Sequence, residues 1–171
     1  MLEQSIKDLL TTLGQTTPTP VQSMYIFKQP SIGGEVSIHR DSTFLYTTPE
    51  SCIGLWLALE DSTLENGCLW AVPGSHTDGP VQRRFKRKSD QSGVEFSGPD
   101  EAKYKLEQDF VPLPVSAGTL VVLHGSLVHY SAPNTSSKSR HAYSVHYISG
   151  KAEWDKENWL QLPSGEVFRA L

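Results

Sequence analysis

Apolar residues at Leu2, Ile6, Leu9, Leu10 and Leu13 recur at helical spacing, and Gly14 stands where a helix C-terminal cap is expected. Thr16-Thr-Pro-Thr-Pro20 then stops that helix, because proline has no amide to donate and pushes its predecessor toward extended backbone. From there the pattern is strand-like. Val21 to Phe27 is β-branched and aromatic, Gly33-Gly34 offers a turn, and Glu35 to Asp41 alternates over a short extended segment. Cys52 to Leu59 reads as a buried strand. Asn66-Gly67 predicts a hairpin leading into Cys68 to Val72. Pro80 to Lys105 is charged and poor in aliphatics, so a long surface excursion is expected there. Strands resume at Thr119–Leu123, Leu127–Tyr130 and Arg140–Ile148. Many short strands divided by Gly and Pro, with no internal repeat, predict a sandwich or jelly roll.

At 171 residues the chain is expected to form one domain over 1–171, with a helical lead-in at 1–20 and the surface excursion at 80–105. Fifteen basic residues face 19 acidic ones, a net charge of −4, which argues against a general cationic nucleic-acid binder. Two cysteines, Cys52 and Cys68, supply neither a disulfide framework nor a cysteine zinc cage. The longest apolar run, Ile53 to Leu59, is far too short to span a membrane. Met1-Leu-Glu-Gln lacks the start of a signal peptide. The expectation is a monomeric, intracellular, cytoplasmic protein that takes a small-molecule substrate.

The candidate chemistry lies among six histidines. His39 and Asp41 are two apart in an extended segment, so both side chains leave the same face and could begin a metal site. His39-Arg40-Asp41 also spells the catalytic-loop triplet of protein kinases. That reading fails, because Tyr46 stands where the kinase pattern needs Asn and there is no D-F-G or glycine-rich phosphate loop. The third ligand must come from His124-Gly-Ser-Leu-Val-His129, far downstream. His124 is the rival, and Ser131 and Arg140 decide for His129. Two histidines and one carboxylate on one side of a metal leave three positions open, as in non-haem iron(II) oxygenases. An α-keto acid would fill two of them and O2 the last. The acid's distal carboxylate then needs a fixed cation, and Arg140 offers a planar two-pronged match, with the Ser131 hydroxyl beside it.

His39-x-Asp41, His129-x-Ser131 and Arg140 together resemble the phytanoyl-CoA dioxygenase family of Fe(II)/2-oxoglutarate oxygenases. Supporting stretches include Met24–Pro30, Gly33–Val36, Phe44–Thr47, Leu64–Trp70, Val72–His76 and Glu157–Leu160, so the resemblance covers nearly everything from about residue 20 onward. It implies a double-stranded β-helix, a jelly roll with a short N-terminal helix ahead of it. It also implies iron on His39, Asp41 and His129, with 2-oxoglutarate as cosubstrate and O2 as oxidant. Ser131 and Arg140 would anchor 2-oxoglutarate, and Met24 and Trp56 would line its pocket. Succinate and CO2 would leave as an unidentified small or lipid-like substrate is hydroxylated at an unactivated C–H. The family resembled is longer, with its extra length and a cosubstrate-contacting Lys upstream of the region matched here. The chain alone is therefore expected to bind Fe(II), to hold 2-oxoglutarate weakly and to be less stable than a longer form. Arg40 replaces a more usual Gln, and the Asp41–Trp56 interval is one residue short; neither change removes a ligand.

The other features have plainer expectations. His76 follows Pro73-Gly-Ser75 as a turn residue. His141 and His146 are five apart on one strand and so face opposite ways; both are expected to be structural. Arg83-Arg-Phe-Lys-Arg-Lys88 reads as a solvated basic loop. Asn134-Thr-Ser136 is a glycosylation acceptor expected to go unused. A different class of function also fits: a metal-binding jelly roll without turnover, acting as a binding or regulatory module. A nucleic-acid binder built on residues 83–88 is the third, and the net charge opposes it.

Overall fold

In the computed structural model, which describes residues 2–101 and 103–171, the helical spacing at the N-terminus becomes helix α1 (Leu2–Thr12). The helix closes with a Schellman turn. The Gln15 amide donates to the Leu10 carbonyl and the Gly14 amide to that of Thr11, with Gly14 at φ +89°.

Beyond it the described residues form twelve strands: β1 (Pro18–Lys28), β2 (Val36–His39), β3 (Thr47–Thr48), β4 (Ile53–Ala58), β5 (Leu69–Ala71), β6 (Arg84–Arg87), β7 (Val94–Ser97), β8 (Val111–Leu113), β9 (Leu120–His124), β10 (His129–Ser131), β11 (Arg140–Ser149) and β12 (Glu153–Trp154). A four-residue helix, α2 (Leu106–Asp109), precedes β8. Two antiparallel four-stranded sheets, ordered β1-β11-β4-β9 and β2-β10-β5-β8, make the expected jelly roll. Two small sheets, β3-β12 and β6-β7, stand outside it. Pro18 and Pro20 end the helical region yet open β1. An edge strand tolerates them, and the register shifts between Pro20 and Gln22.

Between the sheets, Trp56, Ala58, Leu69, Leu123 and Ala142 form a buried cluster. On the outer face of the larger sheet, Ile6, Leu9 and Leu10 of α1 pack on Ile53, Leu55, Val145 and Tyr147. Leu10 is fully buried, which contributes about 2 kcal/mol. The helix covers only part of that face. Tyr25 and Phe27 remain exposed further along β1, their ring centroids 4.4 Å apart.

The structure alters two local expectations. Asn66-Gly67 does form a tight turn, with the Thr63 amide donating to Asn66 Oδ1 at 2.7 Å and Gly67 at φ +86°. It is not a hairpin, because β4 and β5 belong to different sheets; the turn carries the chain from one layer to the other. A Cβ on Gly67 would lie 2.5 Å from the Ala132 carbonyl oxygen, so the crossing admits no side chain there. The basic run at 83–88 is also not a solvated loop, since Arg84–Arg87 form strand β6. Arg84 pairs with Asp155 at 3.2 Å and lies over the Tyr46 ring, Lys86 faces Glu157, and the Arg87 amide donates to the Glu157 carbonyl. Its charge is largely matched within the chain. Among the described residues no helix is long and apolar enough to cross a membrane.

Candidate active site

His39 is the last residue of β2 and His129 the first of β10, and the register sets them directly opposite each other. Their ring centroids are 4.2 Å apart. Arg40 is extended (φ −118°, ψ 139°) and Asp41 opens a 3-10 turn over 41–43, so the carboxylate swings back beside His39. Asp41 Oδ1 lies 3.6 Å from His39 Nε2 and 3.6 Å from His129 Nε2. One ligand atom from each of the three residues falls within 4.8 Å of the others. Each histidine has its other nitrogen at a backbone carbonyl: His39 Nδ1 to Ser37 O at 2.7 Å, His129 Nδ1 to Leu127 O at 3.0 Å. A donating Nδ1–H assigns the tautomer and leaves each Nε2 lone pair facing Asp41.

Electrostatics agree with that arrangement. Burial pushes His129 down to about 4, with the charge of His39 adding to it, so its imidazole is neutral. Burial opposes ionisation of Asp41, but the imidazoles gathered around it, His129, His146 and His39, hold the carboxyl well below the usual range. Two imidazole nitrogens and one carboxylate oxygen could hold a divalent metal on one side. His124 is not among them; its Nδ1 accepts from the Ser126 amide and its ring lies against His76.

From this cluster a cleft runs toward Arg140, with Met24, Trp56 and Ser131 among its lining residues. Arg140 is 1% exposed. Its Nε and Nη2 donate to the Gly67 carbonyl at 3.1 and 2.9 Å, and Nη2 reaches Ser131 Oγ at 3.4 Å. Nη1 is buried with no partner, and Arg140 has no ion pair among the described residues. Ser144 Oγ and Trp56 Nε1, in the same cleft, are likewise buried and unpartnered. A buried orphan donor costs about 1–3 kcal/mol, so three in one cleft make a site suited to an acceptor such as a carboxylate. Burial lowers the Arg140 pKa to about 10, and the guanidinium stays charged at neutral pH.

Sequence reasoning missed two residues here, Ser144 and His146. Side chains alternate along β11, so Arg140, Ala142, Ser144 and His146 share its buried face. Ser144 pairs with Met24 on one side and with Trp56 on the other, a row across three strands. His141 does face the other way, against Tyr25 and Phe27. His146 faces inward beside the ligand cluster, its Nε2 3.3 Å from Asp41 Oδ2. Counting parity from Arg140 would have put it in the site.

A second cavity of about 240 Å³ opens on the other side of the cluster, sharing Met24, His39, Asp41 and His146. Val36 also lines both, and the remaining walls are Phe44, Leu45 and Trp159, with Gln22 and Ser37 as polar points. Phe44 lies edge-on to His39 and in turn meets Phe85 and Phe96 of the β6–β7 hairpin. The charged excursion thus brings its aromatic face toward the site. Arg40, between the two β2-side ligands, turns away from them. It donates to Glu101 at 2.8 Å, to the Ser75 and Ser126 carbonyls, and to the Tyr104 hydroxyl.

Comparison with known proteins matches the profile described as phytanoyl-CoA dioxygenase (PhyH) to residues 3–142. A phytanoyl-CoA dioxygenase from Arabidopsis thaliana is 54% identical over 154 residues, 90% of this chain and 53% of that protein. Phytanoyl-CoA dioxygenase domain-containing protein 1 of Mus musculus is 51% identical over 165 residues, 95% of this chain and 56% of that protein. The chain therefore spans about half the length of these curated relatives. Among solved structures, the non-heme alpha ketoglutarate dependent carbocyclase SnoK from nogalamycin biosynthesis superposes with a TM-score of 0.72 at 27% identity, covering 96% of this chain and 66% of that one. The epimerase SnoN, solved with Fe3+, alpha ketoglutarate and nogalamycin RO, shares the fold at a TM-score of 0.70 and 22% identity, over 97% of this chain and 66% of that one. A profile that matches most of the chain, joined by relatives identical at half their aligned positions, settles the affiliation: this chain belongs to the phytanoyl-CoA dioxygenase family.

Proposed function

We propose that the protein is an Fe(II)- and 2-oxoglutarate-dependent dioxygenase that hydroxylates an unactivated C–H bond of a small or lipid-like substrate and releases succinate and CO2. The observation that carries this reading is the unpartnered Arg140 Nη1, buried with Ser144 Oγ and Trp56 Nε1 in the cleft that begins at His39, Asp41 and His129. A metal ligand set and a carboxylate receptor at the two ends of one cleft suit an α-keto acid that reaches both. His39, Asp41 and His129 would hold the iron. Arg140, with Ser131 beside it, would take the distal carboxylate of 2-oxoglutarate. Met24 and Trp56 would wall the pocket and keep water from the carbon chain. When bound, iron(II) with 2-oxoglutarate and O2 supplies the oxidising power that none of these side chains has.

The prime substrate would enter the second cavity. Its lining residues carry no lysine or arginine, so the group presented to the iron would be uncharged and largely apolar. Phe44, Leu45 and Trp159 would orient the target C–H toward the metal face left open by the three ligands. The test is succinate formation from 2-oxoglutarate with added Fe(II) and O2, with Arg140→Gln alongside. Succinate from the parent chain that disappears in the variant supports the assignment; equal turnover in both defeats it. A second reading draws on the greater length of the curated relatives: a metal-binding jelly roll without turnover, serving as a binding or regulatory module. It requires metal binding with no succinate, and the same assay separates the two.

A further inference from the structure

We infer that His146 is a positioning residue for the metal-binding carboxylate: its imidazole N–H holds Asp41 Oδ2, so that Oδ1 alone turns to the metal. The inference rests on the metal-site reading above and extends it to a residue outside the ligand set. Asp41's two oxygens have different surroundings. Oδ1 is the one shared with His39 and His129, at 3.6 Å from each Nε2. Oδ2 faces away from them, buried, with no hydrogen-bond donor in alignment, and His146 Nε2 stands 3.3 Å from it. An unfilled acceptor and a candidate donor thus meet in a site where both residues are about 5% exposed (Asp41 6%, His146 4%). Its other nitrogen, Nδ1, is also buried without a partner, so no competing hydrogen bond draws the proton away from the Nε2 side. A small rotation of the ring closes the contact, and such bonds commonly tighten only when the site is loaded.

The backbone makes room for this pair. His146 is paired across the sheet with Gly54 of β4, the one residue without a side chain in the run Ile53–Ala58. A Cβ at 54 would lie 3.0 Å from Asp41 Oδ2, and 3.4 and 3.5 Å from His146 Cδ2 and Nε2. A glycine inside a buried strand weakens it, and such glycines often mark the close approach of another group. Here the group is the carboxylate–imidazole contact itself. His146 is not a fourth ligand in this arrangement. It approaches the oxygen that the other two histidines do not share, and it lies outside the set of ligand atoms within 4.8 Å of one another. Partners of ligating groups typically change metal affinity by about 10–100-fold when removed.

The experiment is anaerobic Co(II) titration of the parent chain and of His146→Leu, His146→Gln and Gly54→Ala, read by dissociation constant and visible absorption, with the metal-free thermal midpoint of each. His146→Leu is expected to weaken Co(II) binding by about 10–100-fold, with its metal-free midpoint close to the parent's. His146→Gln, whose amide can donate from nearly the same point, should recover most of that loss. Gly54→Ala, which wedges a methyl into the contact, should weaken binding in the same direction. The Co(II) absorption bands should keep their positions throughout, because the ligands are unchanged. Parent-like affinity in folded His146→Leu overturns the inference. So does equal loss in the Leu and Gln variants with displaced bands, which would make His146 a ligand. Should His146→Leu fail to fold, parent-like affinity in Gly54→Ala overturns it instead. A parent chain that binds no Co(II) would overturn the metal-site reading itself, an outcome distinct from the others.

Discussion

Arg40 and Arg140 are both buried, at 4% and 1% exposure, and both are flanked by residues of the candidate site, yet their hydrogen bonds are spent differently. Arg40 is fully engaged with the protein. Its guanidinium joins Glu101, two loop carbonyls at Ser75 and Ser126, and the Tyr104 hydroxyl, tying the end of the 80–105 excursion to the loops around the metal ligands. Arg140 reaches one carbonyl and one serine, faces no carboxylate among the described residues, and keeps Nη1 unfilled. A buried cation whose three nitrogens all find partners is part of the scaffold. One left with an open donor in a cleft is free to take a ligand.

The largest effect expected from this contrast is on cosubstrate binding. With a metal such as Zn(II) bound to exclude turnover, Arg140→Gln should weaken 2-oxoglutarate binding by about 100-fold or more in calorimetric titration, with metal affinity nearly unchanged. Arg140→Lys keeps the charge but loses the two-pronged geometry, so it should fall between. Parallel loss of metal and cosubstrate affinity would make Arg140 a second scaffold residue and erase the distinction. Next comes stability: Arg40→Met leaves Glu101 half-stranded and should cost about 3 kcal/mol in urea unfolding, with 2-oxoglutarate affinity little changed. If the cost of Arg40→Met is no greater than that of Arg140→Met, the scaffold role fails.

Smaller effects sharpen the picture. Ser144→Ala removes one of the unfilled donors in the Arg140 cleft and should weaken 2-oxoglutarate binding by about 3–10-fold, a loss that neighbouring Ala142 substitutions by Gly would not reproduce. The smallest concerns a third buried cation, Lys28, which donates to the Gly34, Ser131 and Ala132 carbonyls. Burial and then the nearby charge of Arg140 push its pKa from 10.5 down to about 8. Between those values the unfolded chain holds a proton that the folded one has lost. Stability relative to Lys28→Met should therefore rise as pH goes from about 8 to 10.5. Arg140→Gln removes the like charge and should narrow that window from its lower end. Denaturation midpoints collected across the range would show the same window with and without Arg140 if the two cations do not sense each other.

The parts of the site that were legible in the sequence are those whose chemistry is carried by residue type at short range. His39 and Asp41 announce themselves as an alternating pair, and His129, Ser131 and Arg140 follow as an ordered set. Ser144 and His146 did not, although the same alternation reaches them. Parity between His141 and His146 says only that the two differ in direction. Measured from Arg140, it says which one points inward. The fold class was legible from the many short strands, but strand partners were not. Asn66-Gly67 is a genuine turn signal, yet a turn reports local backbone, and whether its flanks pair depends on residues such as Val111–Leu113 and His129–Ser131 that arrive later to claim β5. The β6–β7 hairpin was hidden by its charge. Its lysines and arginines read as solvent-facing, whereas the segment pairs with β7 and finds acidic partners at Asp155 and Glu157, far along the chain.

The direct pairing of His39 with His129 has a consequence for the lifetime of the molecule. A metal ion shared by those two residues and Asp41 would act as a cross-link between β2 and β10, closing the whole stretch of chain from 41 to 129 into a ring. Closure of so long a ring restricts the unfolded ensemble much as a disulfide does, and an ion that binds only the folded chain pulls the equilibrium toward it. The bound ion would then determine how long the folded chain survives. With iron as that ion, as proposed above, a cell starved of it would lose this protein to proteolysis of the opened chain.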